Sequence, residues 1–378
     1  MRINNSIIDS DYDLSELIRS RGFNCLGVVI DAELYRSSQV VVELVEQLKQ
    51  KFDVFVVEYQ EPFEPTYQYL DRLMSLHEVR AKIATLDVWI GIGGGSTIDT
   101  AKGLAILCRN EGDAIRYRGF PDRLNTPLPV IAIASTAGSG SDVSFNASFI
   151  DEATKTKMGI NYSENYPILT ILDPRIVSTA PFSVVAASGI DALVHTLESF
   201  VSRNATPASR FFSIKAFHLI TQNFPMVLSR EANQATWKKM QWAAIFAMWG
   251  LSNSTSGPAG ALSYYLGTHY LVRHGIAGGV FIGKITRLNH EHGYHNYADL
   301  FGWSDDHDLG MTKRDKSEIV VQTVEGLLQE GEIPASLKAF GIGQGDKKGF
   351  VDFAQEAKGA FDLNPVQFSN KDLDRILL

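Results

Sequence analysis

Cysteine is scarce in this chain, with two residues, Cys25 and Cys108, among 378. Two cysteines cannot build the disulfide framework that holds small secreted domains together. Both lie in apolar stretches of sequence, so we expect them to be buried free thiols. The sequence therefore favours a protein of a reducing compartment.

Positively charged residues are also fewer than negatively charged ones. The chain has 35 lysines and arginines and 43 aspartates and glutamates, which gives a net charge of −8. A nucleic-acid-binding surface needs a basic stripe, and this balance argues against one. No apolar run approaches the length of a membrane span, and the first residues do not lead into a signal peptide. We expect a cytoplasmic protein with neither nucleic acid nor a membrane as a partner.

The most informative stretch is 87–103, which reads DVWIGIGGGSTIDTAKG. An apolar run, a cluster of glycines and a renewed apolar pattern predict a buried parallel strand, a tight turn and the start of a helix. Glycine lets backbone N–H groups approach an anion, and the helix N-terminus adds donors and a positive dipole end. The stretch predicts a phosphate or pyrophosphate site. The alternative is a glycine-rich connection that binds nothing.

The chain is long enough for two domains. In the first half, strand patterns at 26–30, 52–57, 88–92, 129–134 and 169–172 alternate with helical patterns, among them 39–49 and 67–85. Alternation of this kind implies right-handed crossovers and a parallel sheet covered on both faces. After residue 181 the pattern is helical, over 183–202, 209–223, 236–249, 262–273, 279–289, 316–330 and 347–359. We therefore predict a doubly wound α/β domain over 1–180 and an all-α domain over 181–378.

A second polar loop, STAGSGSD at 135–142, directly follows the strand at 129–134. Open α/β sheets bind ligands at the carboxyl ends of their strands, so small polar residues there indicate a ligand crevice. A loop that merely turns the chain is the alternative. Together with the glycine turn, this loop favours a nucleotide as the ligand.

Asp191 and His195 are four residues apart in a predicted helix, so their side chains share a face. A carboxylate and an imidazole at this spacing can hold a divalent metal, although an ordinary ion pair has the same spacing. His274 follows a predicted helix break, where a lone histidine can equally be structural. We expect three further histidines, His290, His292 and His295, to lie on a solvated loop.

Taken in order, five motifs resemble those of the iron-containing (group III) alcohol dehydrogenases: GGGSTIDTAK, STAGSGSD, ILDP, GIDALVHTLESFVS and RHGIAG. The resemblance implies a dehydroquinate synthase-like fold, with an α/β domain that binds NAD(P) and a helical domain that holds a divalent metal, iron or zinc. It also implies a homodimer. Asp31 would lie near the adenine ribose and favour NAD over NADP. The remaining residues implied for the cofactor site are Gly94, Gly95, Ser96, Asp99, Ser135, Thr136, Ser139, Ser141 and Lys157.

Asp191, His195 and His274 match three of the family's four metal ligands. The fourth is a histidine in a segment written HGxAHxLG, where this chain reads GALSYYLG. Gly260 replaces the ligand and Tyr264 replaces the second histidine. A three-ligand site completed by water or substrate, a replacement by His269, and a metal-free variant all stay open. We count Tyr264 with the three ligands as candidate catalytic residues.

The resemblance implies interconversion of an alcohol with an aldehyde or ketone, with a metal that stabilises the substrate oxygen while hydride passes to the nicotinamide. The segments AGALSYYLGTH, YRGF and KMGIN are similar to the branch that oxidises 3-deoxy-manno-octulosonate, which implies a sugar acid or another polyhydroxylated alcohol. The alternative is a metal-depleted relative. It would be another enzyme on this fold, a lyase or a glycerol-phosphate dehydrogenase, or a protein that binds NAD without catalysis.

Overall fold

A computed structural model describes residues 6–9, 11–301 and 310–377 of the chain. It divides into two compact units, of which one ends at Pro181 and the other begins at Phe182. The first unit consists of strands and helices and the second of helices, and each is described by itself.

The first unit is built on a parallel sheet of six strands in the order β1-β8-β5-β4-β2-β3. Its strands are β1 (Ser6–Ile8), β2 (Cys25–Asp31), β3 (Asp53–Tyr59), β4 (Val88–Gly93), β5 (Val130–Ala134) and β8 (Leu169–Ile171), and an antiparallel hairpin of β6 (Asn146–Asp151) and β7 (Thr156–Asn161) stands beside it. Its helices are α1 (Leu14–Arg19), α2 (Ala32–Ser37), α3 (Gln39–Lys51), α4 (Tyr67–Ser75), α5 (His77–Ile83), α6 (Gly95–Leu107) and α7 (Pro174–Val177).

Apolar clusters cover both faces of this sheet, as a parallel sheet requires. Val28 and Ile90 pack with α3 in one cluster, whereas Trp89 packs with residues of α4, α6 and the hairpin, including Phe149, in another. Ile90 pairs with Val28 of β2 and with a residue of β5, so β4 is central in the sheet. The strand order places the end of β4 between the ends of β2 and β5.

The structure differs from the sequence prediction in three local respects. The helix predicted over 67–85 is two helices, because Leu76 has an extended backbone with ψ of 135°. The sequence prediction missed β1, which is three residues long. It also missed the hairpin, whose second strand is partly exposed and lacks the apolar run that marked the central strands.

In the second unit, residues 182–301 and 310–377 form helices and loops without a strand. The helices are α8 (Phe182–Val201), α9 (Pro207–Leu228), α10 (Gln234–Ser252), α11 (Pro258–Tyr270), α12 (His274–Glu291), α13 (Lys313–Glu330), α14 (Lys347–Glu356), α15 (Lys358–Asp362) and α16 (Asn370–Leu377). Helix α8 packs against α9, α10, α11 and α12. It is therefore the central helix of this unit.

Helix α8 is long and apolar enough to cross a membrane by length and composition alone, contrary to the sequence expectation. Within the fold, however, 89% of its apolar window is buried. A core helix surrounded by other helices has the same composition as a membrane span. Burial among its neighbours accounts for the apolar character of α8.

Candidate functional site

The glycine turn joins β4 to α6 as predicted, with Gly93 ending the strand and Gly94 capping the helix. The N–H groups of a first helical turn have no acceptor within their own helix. Side chains would be crowded at two of its glycines: a Cβ on Gly93 would lie 2.5 Å from Thr97 Oγ1, and one on Gly95 would lie 2.6 Å from Ser139 Oγ. The turn thus presents backbone donors with little steric cover.

The polar loop after β5 lies against this turn. Ser135 N–H donates to the carbonyl of Gly93 at 2.9 Å, and Thr136 is in van der Waals range of the position of a Cβ on Gly94. Asp31 ends β2, the neighbour of β4 on the other side, and its carboxylate accepts the Leu34 N–H at 2.8 Å. The structure therefore brings the two predicted loops together at the carboxyl ends of adjacent strands.

Two other residues implied for the cofactor site are engaged with the protein. Lys157 Nζ lies 2.7 Å from Glu64 Oε2, and its side chain is largely buried. Both oxygens of the buried Asp99 carboxylate are occupied, one by the Ser141 hydroxyl and the other by the Ser148 N–H at 2.9 Å. Asp99 presents no free oxygen, so its place in the cofactor site is indirect.

In the second unit, Asp191, His195 and His274 converge. Asp191 and His195 are one turn apart on α8, and His274 begins α12. Asp191 Oδ1 lies 3.5 Å from His195 Nε2 and 3.7 Å from His274 Nε2. Two ligands of one tetrahedral ion with bonds near 2.0–2.1 Å are about 3.3 Å apart. The distances from Asp191 Oδ1 to the two Nε2 atoms are longer than typical hydrogen bonds and close to the distance between two ligands of one ion.

The surroundings of this triad also fit a cation. Asp191 is buried, and its carboxylate faces the two imidazoles. Among the described residues, the Nδ1 atom of His195 is buried without a hydrogen-bond partner. A buried carboxylate is costly unless a cation compensates its charge. The residues present therefore fit a metal held by three protein ligands.

His274 is oriented by its neighbour Ser263. Ser263 Oγ donates to the Gly260 carbonyl at 2.6 Å and lies 3.1 Å from His274 Nδ1. Because its proton is committed to Gly260, the hydroxyl accepts from Nδ1–H. This network assigns the lone pair to Nε2, the nitrogen that faces Asp191. Sequence reasoning missed Ser263, since only the fold brings it beside His274.

The start of α11 is fixed by a buried carboxylate, Glu198, one turn beyond His195 on α8. It accepts hydrogen bonds from Ser256 Oγ at 2.8 Å and from the N–H groups of Gly257 at 2.8 Å, Ala259 at 2.7 Å and Gly260 at 3.2 Å. Burial raises the pKa of Glu198, and these donors oppose the shift. The role of Glu198 was not predicted, because its partners lie about 60 residues along the chain and only the fold brings them together.

Comparison with known proteins assigns both halves of the chain. The iron-containing alcohol dehydrogenase family matches residues 9–174, and the C-terminal region of the Fe-containing alcohol dehydrogenase family matches 185–378. The chain belongs to the iron-containing alcohol dehydrogenase family. It is an oxidoreductase of the alcohol dehydrogenase type, and the predictions of family and fold class are confirmed.

Individual relatives agree with this assignment. The chain is 28% identical to 1,3-propanediol dehydrogenase of Citrobacter freundii over 77% of this chain and 75% of that one. It is 27% identical to the NAD-dependent methanol dehydrogenase of Bacillus methanolicus over 77% and 76%. A crystal structure of 1,3-propanediol oxidoreductase superposes with a TM-score of 0.87 at 25% identity, covering 99% of this chain and 97% of that one.

Gly260 lies where the family pattern has a histidine ligand. Other side chains occupy the space that a side chain at this position would need. A Cβ there would lie 2.1 Å from Ser256 Oγ and 2.9 Å from Glu198 Oε2. Tyr264, at the second histidine, places its ring 5.4 Å from that of His274. The hydrogen bond between Ser256 and Glu198 thus occupies the space that a side chain at position 260 would need.

The other histidines in the described part of the chain lie apart from the triad. The ring of His269 stacks on that of Tyr265, with 4.1 Å between ring centroids. Among the described residues, the only group of side chains that could hold a metal ion consists of Asp191, His195 and His274. The expectation that His290 is solvated is wrong, because α12 continues through it and buries it. Its Nδ1 lies 2.8 Å from Ser317 Oγ on α13.

Proposed function

We propose that this protein is an NAD-linked alcohol dehydrogenase whose divalent metal is bound by Asp191, His195 and His274. The observation that carries the proposal is the buried Asp191 carboxylate, approached by two imidazole nitrogens at ligand spacing. When bound, such a metal stabilises negative charge on the alcohol oxygen or polarises a carbonyl. Iron and zinc both suit a set of one carboxylate and two imidazoles.

The chain's own residues prepare the site for this role. Asp191 supplies the negative charge, and Ser263 orients the His274 ring through Nδ1 so that Nε2 faces Asp191. Tyr264, beside His274, carries the phenol that we propose as the proton-transfer group for the substrate hydroxyl. Gly260 contributes no ligand, so open coordination positions are left for water and substrate.

For the cofactor, we propose that the N-terminus of α6 binds the pyrophosphate through Gly94, Gly95 and Ser96. The adjacent loop, with Ser135, Thr136, Ser139 and Ser141, would line the nicotinamide side, and Lys157 would reach the ribose. At the end of β2, Asp31 would meet the adenine ribose, where a carboxylate repels the extra phosphate of NADP. The relative that is NAD-dependent by name supports this preference. Replacing Asp31 by serine should shift kcat/KM toward NADP.

We infer a polyhydroxylated alcohol or sugar acid as the substrate from the resemblance of three segments to the octulosonate-oxidising branch. The resemblance to the family as a whole supports a homodimer, whereas the two cysteines and the net charge of −8 support a cytoplasmic protein with neither nucleic acid nor a membrane as a partner. Gly260 and Tyr264, which replace the two family histidines, favour the alternative: a metal-depleted relative that is another enzyme on this fold or binds NAD without turnover. The experiment below therefore includes it as an outcome.

The test is NADH production by protein reconstituted with Fe²⁺ or Zn²⁺, using 3-deoxy-manno-octulosonate and a panel of simple alcohols. We expect metal-dependent turnover, fastest with the sugar acid. Asp191→Asn should lose several kcal/mol of transition-state stabilisation, a hundredfold or more in rate by order of magnitude. The exposed Asp362→Asn is the matched control and should behave as the wild type. Near-normal activity of Asp191→Asn, or NAD binding without turnover on any substrate, contradicts the proposal.

A further inference from the structure

We propose that Asp99 and Lys102 are positioning residues that fix the loop 135–142 and the β6–β7 hairpin on α6 and thereby orient the nicotinamide half of the cofactor. The inference rests on the cofactor site of the proposed function. It assigns Asp99 and Lys102 a role distinct from contact with the cofactor.

Lys102 is a fully buried lysine on the face of α6 that meets the loop. Its Nζ donates to the carbonyls of Ser141 at 2.5 Å and Asn146 at 2.8 Å, and lies 3.0 Å from Ser141 Oγ. Three donors on one ammonium group are thus matched by three acceptors. Lys102 ties the end of the loop and the first residue of the hairpin to the helix.

Asp99, one turn earlier on α6, completes the arrangement. It accepts from Ser141 Oγ and from the Ser148 N–H, and its Oδ1 lies 3.6 Å from Lys102 Nζ. Ser141 Oγ therefore accepts from Lys102 and donates to Asp99. The pair thus holds the chain at residues 141, 146 and 148.

The location of this network links it to the cofactor. The N-terminus of α6 is the proposed pyrophosphate site, and Ser139 of the loop packs on Gly95 there. Lys157 lies on β7 opposite Ile150, so the hairpin carries the proposed ribose contact. The loop carries the residues proposed for the nicotinamide side. The same helix thus presents the pyrophosphate donors and, two turns later, sets the position of the residues for the nicotinamide half.

A buried ion pair is weak evidence of a role in stability, because an apolar pair of similar volume is often as stable. An apolar pair could not bond to Ser141, Asn146 and Ser148, however, and would leave the loop free to shift. The two roles can be separated by experiment. If the inference is right, the balance of buried charge determines the stability of the protein, whereas the hydrogen bonds determine the conformation of the loop.

The experiment measures the dissociation constants of NADH and ADP, which lacks both the second ribose and the nicotinamide, together with the melting temperature. The variants are Asp99→Asn, Lys102→Met and the double variant Asp99→Asn/Lys102→Met. We expect NADH to bind about tenfold more weakly or worse in all three, as for the loss of other positioning contacts. ADP affinity should stay within about twofold of the wild type. The double variant, with no unpaired buried charge, should recover melting temperature without recovering NADH affinity.

The matched control is the exposed pair Lys82 and Asp53, in contact at 2.7 Å, whose neutral double variant should change neither affinity nor melting temperature. Recovery of NADH affinity together with melting temperature in the double variant would make the pair merely structural and overturn the inference. Equal loss of NADH and ADP affinity would overturn it as well. A wild-type protein that binds neither probe would instead refute the cofactor site of the proposed function.

Discussion

Replacing Glu198 by glutamine tests how the metal-bearing helix α8 is joined to α11. Glutamine keeps the shape of the side chain but turns one accepting oxygen into an NH₂ group. If the NH₂ replaces Oε1, the Ala259 N–H loses its 2.7 Å acceptor; if it replaces Oε2, the Gly257 N–H loses its 2.8 Å acceptor. Either way, the variant leaves a buried donor unpaired and places a second donor against it.

An orphaned buried donor costs about 1–3 kcal/mol, and the surviving bonds lose the charge that made them about twice as strong as neutral ones. We therefore expect Glu198→Gln to lower the free energy of unfolding by about 2–4 kcal/mol. Ser263, which orients His274, lies on the helix that this carboxylate anchors. Metal affinity should consequently fall as well.

Urea unfolding followed by tryptophan fluorescence measures this effect in the helical unit, because four of the five tryptophans follow residue 181. The control is Glu325→Gln, which removes a surface ion pair with Arg287 at 2.8 Å and should cost less than about 1 kcal/mol. If Glu198→Gln is no less stable than this control, the reasoning about the buried carboxylate is refuted.

Two further predictions concern other parts of the chain. Gly95→Ala should weaken NADH binding about tenfold, because its Cβ would lie 2.6 Å from Ser139 Oγ. The control Gly345→Ala, which has open space around it, should bind NADH as the wild type does. Equal NADH affinities of the two variants in a titration would contradict this prediction. Burial opposes ionisation of Asp372, but Ser369 and His292 lower its pKa to about 2, below the unfolded value. The stability that ionised Asp372 contributes is present above about pH 4 and lost as the pH falls toward 2. The urea midpoint of Asp372→Asn should therefore depend less on pH over that range than the midpoint of the wild type. An unchanged pH dependence would contradict the assignment.

The glycine turn and the central strands could be predicted because their signals are local: an apolar run, glycines and a renewed helical period. Asp191 and His195 were predictable as neighbours from their spacing, whereas the approach of His274 came only from family resemblance and required the fold to bring α12 onto α8. Glu198 and Lys102 could not be interpreted from sequence, because each acts on partners dozens of residues away. His290 was misassigned for the same reason, since the face it buries is defined by α13.

The central claim is a metal site of three protein ligands with Gly260 contributing none. The most direct test is the metal content of purified protein, measured by plasma mass spectrometry after reconstitution with Fe²⁺ or Zn²⁺ and removal of free ions. We predict about one divalent ion per chain in the wild type and loss of that ion in Asp191→Ala and His274→Ala. No bound metal in the wild type, or unchanged metal in Asp191→Ala, would contradict the account.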